Sequence, residues 1–147
     1  MRILFILALA LVVFAAAQML QVGDSVKPVK LKSQHDKQYT LVEDGMWIIT
    51  WDKKTTGIAN KYFEKNHMPK NVNLLVDVSQ VPSGIFNLFV LPNMRYYTHA
   101  ILLSYDELYN VTLPYKENSI TLISVKDKNI DSISFVKSEK ELKEALK

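Results

Sequence analysis

The chain has 147 residues, of which 48% are hydrophobic and 22% are charged, and this balance excludes an intrinsically disordered chain and a polytopic membrane protein. The 18 basic and 15 acidic residues give a formal net charge of +3 with the two signs interspersed, which does not indicate a nucleic-acid-binding surface. No cysteine is present, so the chain offers no disulfide, thiolate metal site, iron–sulfur cluster or thiol nucleophile.

The first 17 residues have the three parts of a secretory signal peptide. Arg2 gives a positive start, residues 3–14 carry no polar side chain, and the small residues at 15–17 precede Gln18 in the pattern that signal peptidases read. The apolar run is shorter than the roughly 20 residues that span a bilayer. We therefore expect a cleavable signal helix, a periplasmic or otherwise secreted protein, and a single domain over residues 18–147. Retention of the leader as an anchor stays open.

The chain after the leader begins with extended structure. Residues 21–38 alternate apolar and lysine side chains, which predicts an extended arm or edge strand with a turn near residues 35–37. A second short strand is predicted at 39–42. The nearly continuous apolar run at 46–51 predicts a central strand that is covered on both faces.

A helix and a second buried strand are predicted next. Thr55 or Thr56 can cap the helix by accepting a hydrogen bond from a free backbone N–H group. Apolar side chains then recur at helical spacing, and Pro69 lies beyond the helix end. The strand is predicted at 72–78.

The second half of the chain continues the alternation of strands and helices. A turn leads to a short apolar helix at 85–91 that Pro92 interrupts, and a third strand at 99–104 follows. A β-hairpin and a final helix capped by Ser138 complete the chain. The hairpin strands are predicted at 120–125 and 130–136. The order after residue 45 is β-α-β-α-β-β-β-α, which predicts a mixed sheet with helices on both faces and with the first of these strands beside the second.

This order resembles the thioredoxin fold, and the amino-terminal arm resembles the peroxiredoxin and TlpA-like branch of that superfamily. The runs 22–24, 29–33 and 35–37 are similar to the branch's opening motif, GD-x-x-P-x-F-x-L-x-D-x-x-G-K. Within the branch, the chain is most similar to cysteine-free periplasmic proteins of the YtfJ type, at residues 81–86, 100–103 and 118–122. The resemblance implies an α/β domain with a thioredoxin-like mixed central sheet flanked by helices.

The resemblance also implies where the redox chemistry would lie. Members that exchange disulfides carry Cys-x-x-Cys, or a peroxidatic cysteine, where the first core strand meets the first helix, and a cis-proline just before a later strand. Here Asn118 and Ser119 precede that later strand, and Pro114 stands too early. A threonine hydroxyl has no accessible anion near neutral pH and cannot replace a thiolate. We therefore expect no thiol–disulfide or peroxidase activity. The window that corresponds to the lost active site begins with Asp52 and Lys53 and continues with Lys54, Thr55, Thr56, Gly57 and Ile58.

Two carboxylates, Asp52 and Asp77, end the two predicted central strands. Ligands often bind at the carboxyl ends of strands in open α/β sheets, so these residues, with Thr55 or Thr56, could form an acid–base pair, a cation site or a small-anion site at the helix N-terminus. The alternative, which we favour, is that each side chain caps a turn or a helix.

Neither a metal site nor a cofactor site is predicted. His35, His67 and His99 are far apart in sequence and form no helical pair, which favours positions on the surface or in turns. Residues 110–112 read Asn-Val-Thr, a glycosylation sequon that we interpret as incidental.

The helix at 85–91 has one polar residue in seven and is apolar around most of its circumference. Either the loop around 105–117 covers its outer side or a partner does. The predicted partner surface comprises Ile85, Phe86, Phe89, Arg95, Tyr96 and Tyr97, which include amphipathic groups suited to an interface.

The sequence thus predicts an exported, redox-inactive binding or scaffold module whose partner is another exported protein and not a nucleic acid. A non-thiol enzyme, or a small-anion or metal-binding protein, that uses Asp52, Asp77 and Thr55 or Thr56 is the alternative.

Overall fold

The computed structural model describes residues 18–41 and 44–147. The predicted signal peptide and Val42, the last residue of the predicted second strand, lie outside the described residues. Within those residues, no helix is both apolar enough and long enough to span a membrane. The strands are β1 (Val29–Ser33), β2 (Gln38–Leu41), β3 (Gly45–Thr50), β4 (Val72–Asp77), β5 (Ile101–Ser104), β6 (Ile120–Lys126) and β7 (Asn129–Val136).

All these strands form one mixed sheet in the order β2-β1-β5-β4-β3-β6-β7. The central strands β5, β4 and β3 are parallel, and β1 and β6 run antiparallel on either side of them. Parallel neighbours need a crossover, and helical residues provide it after β3 and again after β4. The prediction that the strand at 46–51 is central and lies beside the strand at 72–78 is confirmed.

The helices are α1 (Lys53–Lys65), α2 (Ser83–Ile85), α3 (Leu91–Met94), α4 (Glu107–Asn110) and α5 (Glu139–Ala145), with a π-helical turn at Phe86–Val90 between α2 and α3. We call the continuous stretch from α2 to α3 the segment 83–94. The short helix α4 lies in the predicted loop around 105–117. Four residues are too few to show a helical period, and Asp106 caps α4 by accepting hydrogen bonds from the backbone N–H groups of Leu108 and Tyr109.

The predicted interruption at Pro92 is wrong, because the helical backbone continues to Met94. In a regular α-helix, the proline ring would clash with the carbonyl group four residues earlier. The π turn removes this conflict. The backbone N–H of Leu91 donates to the carbonyl of Phe86, five residues earlier, and the wider turn admits proline at the start of α3.

The two faces of the sheet are covered unequally. Ile48 and its neighbours on one face pack against α1, the segment 83–94 and α5. Trp47 and Ile49 point to the other face, where the amino-terminal arm around Val26 and the loop around Leu113 cover them. The arm also binds to the turn between β6 and β7, because the backbone N–H of Val26 donates to the carbonyl of Lys128 at 2.8 Å.

Candidate functional site

The junction between β3 and α1, where the resemblance places the lost active site, is a helix start that satisfies its own hydrogen bonds. Asp52 is the N-cap, and its Oδ1 accepts from the backbone N–H of Thr55 at 2.8 Å. The Thr55 hydroxyl accepts in return from the backbone N–H of Asp52 at 3.2 Å. This reciprocal pair is a capping box. Thr55 is buried at 1% exposure, so its hydroxyl is not available to a ligand.

The rest of the window is also structural. The Thr56 hydroxyl lies 2.9 Å from the Thr50 hydroxyl on the preceding strand. Gly57 and Ile58 are half-buried on α1, and Lys54 is exposed. Because the Asp52 carboxylate already occupies the N-terminus of α1, the structure gives no support to a small-anion site there.

Trp51, directly before the window, connects it to the loop before β6. Its indole Nε1 donates to the Thr121 hydroxyl at 3.1 Å, and that hydroxyl donates to the carbonyl of Pro114 at 2.7 Å. The Tyr115 ring packs edge-on against Trp51 with the ring centroids 5.2 Å apart. Neither Trp51 nor Tyr115 is among the sequence-predicted site residues, since aromatic residues are most often core. The available signal was the position of Trp51 next to the window.

Asp77, at the carboxyl end of β4, is held by three hydrogen bonds to one oxygen. Its Oδ1 accepts from the backbone N–H of Ser79 at 2.9 Å, from the Ser79 hydroxyl at 2.6 Å and from the Asn110 amide at 2.7 Å. Asn110 is buried, and its own side-chain oxygen accepts from the Ser104 hydroxyl. The sequon asparagine therefore serves the fold, and its buried amide is not accessible for glycosylation.

Asp52 and Asp77 line the same two clefts at the carboxyl edge of the sheet. The clefts have volumes of about 440 and 520 Å³ and share Trp51, Asp52, Asp77 and Gln80. We call the two clefts together the edge groove. Of the described residues that line the groove, none is a histidine, the side chain that acts most often as a general base. Two carboxylates beside apolar side chains can bind a cationic ligand.

The predicted partner surface is only partly exposed. Ile85, Phe89 and Tyr96 are 51%, 66% and 86% exposed, and Leu88, which the sequence analysis did not select, is 71% exposed. The inclusion of Phe86 is wrong, because this side chain lies in the core and packs edge-on against Tyr105. The π turn determines which side chains of the segment 83–94 face the core, and the apolar composition of the segment gives no indication of this turn.

Arg95 and Tyr97, the remaining members of the predicted surface, have partners within the chain. Arg95 Nε donates to the carbonyl of Gln34 at 3.0 Å, and its guanidinium lies 3.7 Å from the Asp36 carboxylate. Tyr97 is half-buried, and its ring centroid lies 5.2 Å from that of His99. The backbone carbonyl of Tyr97 also lies 3.0 Å from His35 Nε2, so both residues connect the turn after β1 to the chain that enters β5.

The expectation that all three histidines lie on the surface or in turns is wrong for His99. This residue is buried, its Nε2 lies 2.8 Å from Asn60 Oδ1, and burial lowers its pKa to about 4. His67 lines the same cleft as His99, whereas His35 contacts the carbonyl of Tyr97. The structure shows no group of three or more histidine, aspartate or glutamate side chains that could hold a metal ion among residues 18–41 and 44–147.

Comparison with known proteins gives matches to solved structures only. No protein-family model matches the chain, and no curated protein matches it. The chain is similar to StoA from Bacillus subtilis, with 12% identity, a TM-score of 0.58, and coverage of 84% of this chain and 100% of that chain.

Two further solved structures are similar over most of their length. The thioredoxin domain of a thiol-disulfide oxidoreductase from Bacteroides vulgatus has 10% identity, a TM-score of 0.53, and coverage of 87% of this chain and 99% of that chain. A peroxiredoxin-like protein from Aquifex aeolicus has 10% identity, a TM-score of 0.50, and coverage of 82% and 79%. These likenesses concern the fold alone. The closer likeness to proteins of the YtfJ type stays a prediction.

Proposed function

From a thioredoxin-like fold that contains no cysteine, we propose that the protein is an exported, redox-inactive binding or scaffold module whose partner is another exported protein. The chain has no thiol with which to exchange disulfides or reduce peroxides. The positions at the start of α1 are engaged in a capping box, and the fold therefore keeps its architecture without the chemistry that usually accompanies it.

One observation carries the proposal, namely a set of exposed apolar side chains on the segment 83–94 and at Tyr96, two residues beyond its end. We call Ile85, Leu88, Phe89 and Tyr96 the contact face, since each is at least half exposed. Apolar side chains that remain in water forgo a stabilisation of roughly 25 cal/mol per Å² of buried surface. The loop around 105–117 covers Phe86 through Tyr105 and leaves the contact face open. Grouped apolar side chains of this kind are typical of protein–protein interfaces.

Export is supported by the leader pattern at residues 1–17. Expression of the full chain in a bacterial host, followed by fractionation and amino-terminal sequencing, tests this part of the proposal. We expect periplasmic protein that begins at Gln18. Cytoplasmic protein that begins at Met1 would contradict it.

A capture experiment tests the contact face. The variant L88S/F89S/Y96S removes most of the exposed apolar surface and leaves the buried Phe86 in place. We expect it to lose a partner that the wild type captures from the exported fraction of the host. The control V22S/L108S removes two exposed apolar side chains elsewhere and should retain the partner. Equal capture by both variants would reject the contact face.

A further inference from the structure

We infer that the edge groove binds an extended peptide segment of the partner in which a lysine or arginine stands between apolar residues. This inference rests on the proposed binding function and adds the chemistry of what is bound. It is carried by the charge of the groove, by its apolar walls and by its position beside the contact face.

The charge of the groove is not neutralised by the chain itself. Asp52 and Asp77 use only Oδ1 in the hydrogen bonds of the described residues, so each keeps a second oxygen without a partner there. The ion pairs among the described residues join Lys65 to Glu139 and Arg95 to Asp36, and neither pair includes a groove carboxylate. Glu107 adds a third carboxylate, against the single cation of Lys53 in the lining. A cationic group is the complement of such a site.

Each of the two clefts has apolar side chains in its wall beside the carboxylates. Trp51 and Tyr115 line one cleft, and Phe89 and Val90 line the other, with Asp52 and Asp77 shared between the two. Each cleft lies within the range of roughly 300–1,000 Å³ that is usual for ligand pockets. A small amine or a metal ion would satisfy the carboxylates and leave these walls in water. A peptide segment with an apolar side chain on each side of a basic one contacts both the carboxylates and the apolar walls.

The groove also continues into the contact face. Phe89 belongs to both, because it lines the larger cleft and is two-thirds exposed on the segment 83–94. One partner that covers the contact face therefore brings its neighbouring residues over Asp52 and Asp77. The uncompensated charge then selects which partner segments bind, since a segment without a cation would desolvate the two carboxylates with no compensation.

A phage-displayed library of random twelve-residue peptides tests this inference on the purified protein. We expect the wild type to enrich peptides with lysine or arginine between leucine, phenylalanine or tryptophan residues. A synthetic enriched peptide should perturb the fluorescence of Trp51, which lines both clefts. Replacing its basic residue by norleucine should weaken binding at least about tenfold.

The variant D52N/D77N removes the groove charge and keeps the side-chain oxygens that cap α1 and hold Ser79, since asparagine is a good N-cap. We expect it to lose the enriched peptides, with a loss of affinity of at least about tenfold. The control E64Q/D131N removes two exposed carboxylates outside the groove and should bind like the wild type.

The outcomes separate this inference from the proposed function. Absence of any basic–apolar enrichment, or equal binding of the enriched peptides to D52N/D77N, would overturn the inference. If L88S/F89S/Y96S loses its partner while D52N/D77N retains it, the contact face stands and the groove specificity is wrong. If the peptides bind the groove and no protein partner is captured through the contact face, the proposed scaffold role is wrong instead.

Discussion

His99 is a histidine that the fold holds in its neutral form. Its ring lies between Phe63 and Tyr97, with centroid distances of 5.7 and 5.2 Å, and Asn60 is its hydrogen-bonding partner at Nε2. Its Nδ1 has no partner in the described residues. Protonation would place a charge among these aromatic rings, and burial accordingly lowers the pKa from 6.5 to about 4.

This lowered pKa makes the stability of the fold depend on pH. Well above pH 6.5, the ring is neutral in both the folded and the unfolded chain and contributes no pH dependence. Between pH 6.5 and about 4, the unfolded chain binds the proton more readily, so stability falls as the pH falls. In urea unfolding, we expect His99 to make the free energy of unfolding about 2 kcal/mol lower at pH 5 than at pH 7.

The variant H99Q isolates this effect because glutamine does not titrate. Between pH 7 and pH 5, we expect the free energy of unfolding of H99Q to fall by about 2 kcal/mol less than that of the wild type. The control H67Q alters an exposed histidine and should keep the wild-type pH dependence. If H99Q and the wild type lose the same stability between the two pH values, His99 is not the cause.

At the scale of secondary structure, the sequence predicts those elements whose signal is local. The hairpin is an example, because alternating apolar residues flank a two-residue turn. Asp127 and Lys128 form that turn with φ of 51° and 64°. The burial of His99 and the choice of Phe86 as the inward residue depend on tertiary contacts and on the π turn. The sequence pattern carried no signal for either.

Replacement by alanine is expected to change the free energy of unfolding in opposite directions at Gly45 and at Gly57. At Gly45, the first residue of β3, an added Cβ would lie 2.0 Å from the carbonyl oxygen of Asn71. The Asn71 backbone cannot move away easily, because its carbonyl oxygen accepts a hydrogen bond from the backbone N–H of Met46. At Gly57, in the interior of α1, an added Cβ meets nothing within 4 Å.

We therefore expect G45A to lower the free energy of unfolding by about 2 kcal/mol or more, as overpacking does. We expect G57A to raise it by about 0.5 to 1 kcal/mol, since alanine restricts the unfolded chain and favours a helix. Chemical denaturation of the two variants beside the wild type measures both effects. Equal destabilisation by the two substitutions would show that the close approach at Gly45 is not what requires glycine.

For the whole molecule, one edge of the sheet carries both the helix cap at Asp52 and the proposed peptide-binding groove. The parallel strands β3 and β4 deliver Asp52 and Asp77 to one edge, and the helix start at Asp52 needs a hydrogen-bonding side chain there regardless of any reaction. Asp52 and Thr55 stand three residues apart, which is also the spacing of the cysteines in a Cys-x-x-Cys motif. The capping box therefore has the spacing of a Cys-x-x-Cys pair, at the junction where the resemblance places one.

This equivalence predicts that a disulfide can replace the capping box. The Thr55 hydroxyl already lies 2.9 Å from Asp52 Oδ1, so the two side chains meet. In D52C/T55C we expect an intramolecular disulfide after equilibration with oxidised glutathione. A thiol titration should then detect two fewer free thiols per chain than before oxidation. We also expect insulin reduction in the presence of dithiothreitol above the rate of the wild type, because a helix N-terminus favours the thiolate.

The matched control is D52C/T56C, since the Thr56 hydroxyl points to Thr50 and does not meet Asp52. It should keep both thiols free under the same conditions. The loss of the capping box should cost D52C/T55C about 1 to 2 kcal/mol in its reduced form, and the disulfide should restore part of this in the oxidised form. If D52C/T55C stays folded with both thiols free, the junction between β3 and α1 has diverged from a redox site in its geometry, and the missing sulfur is not the whole difference.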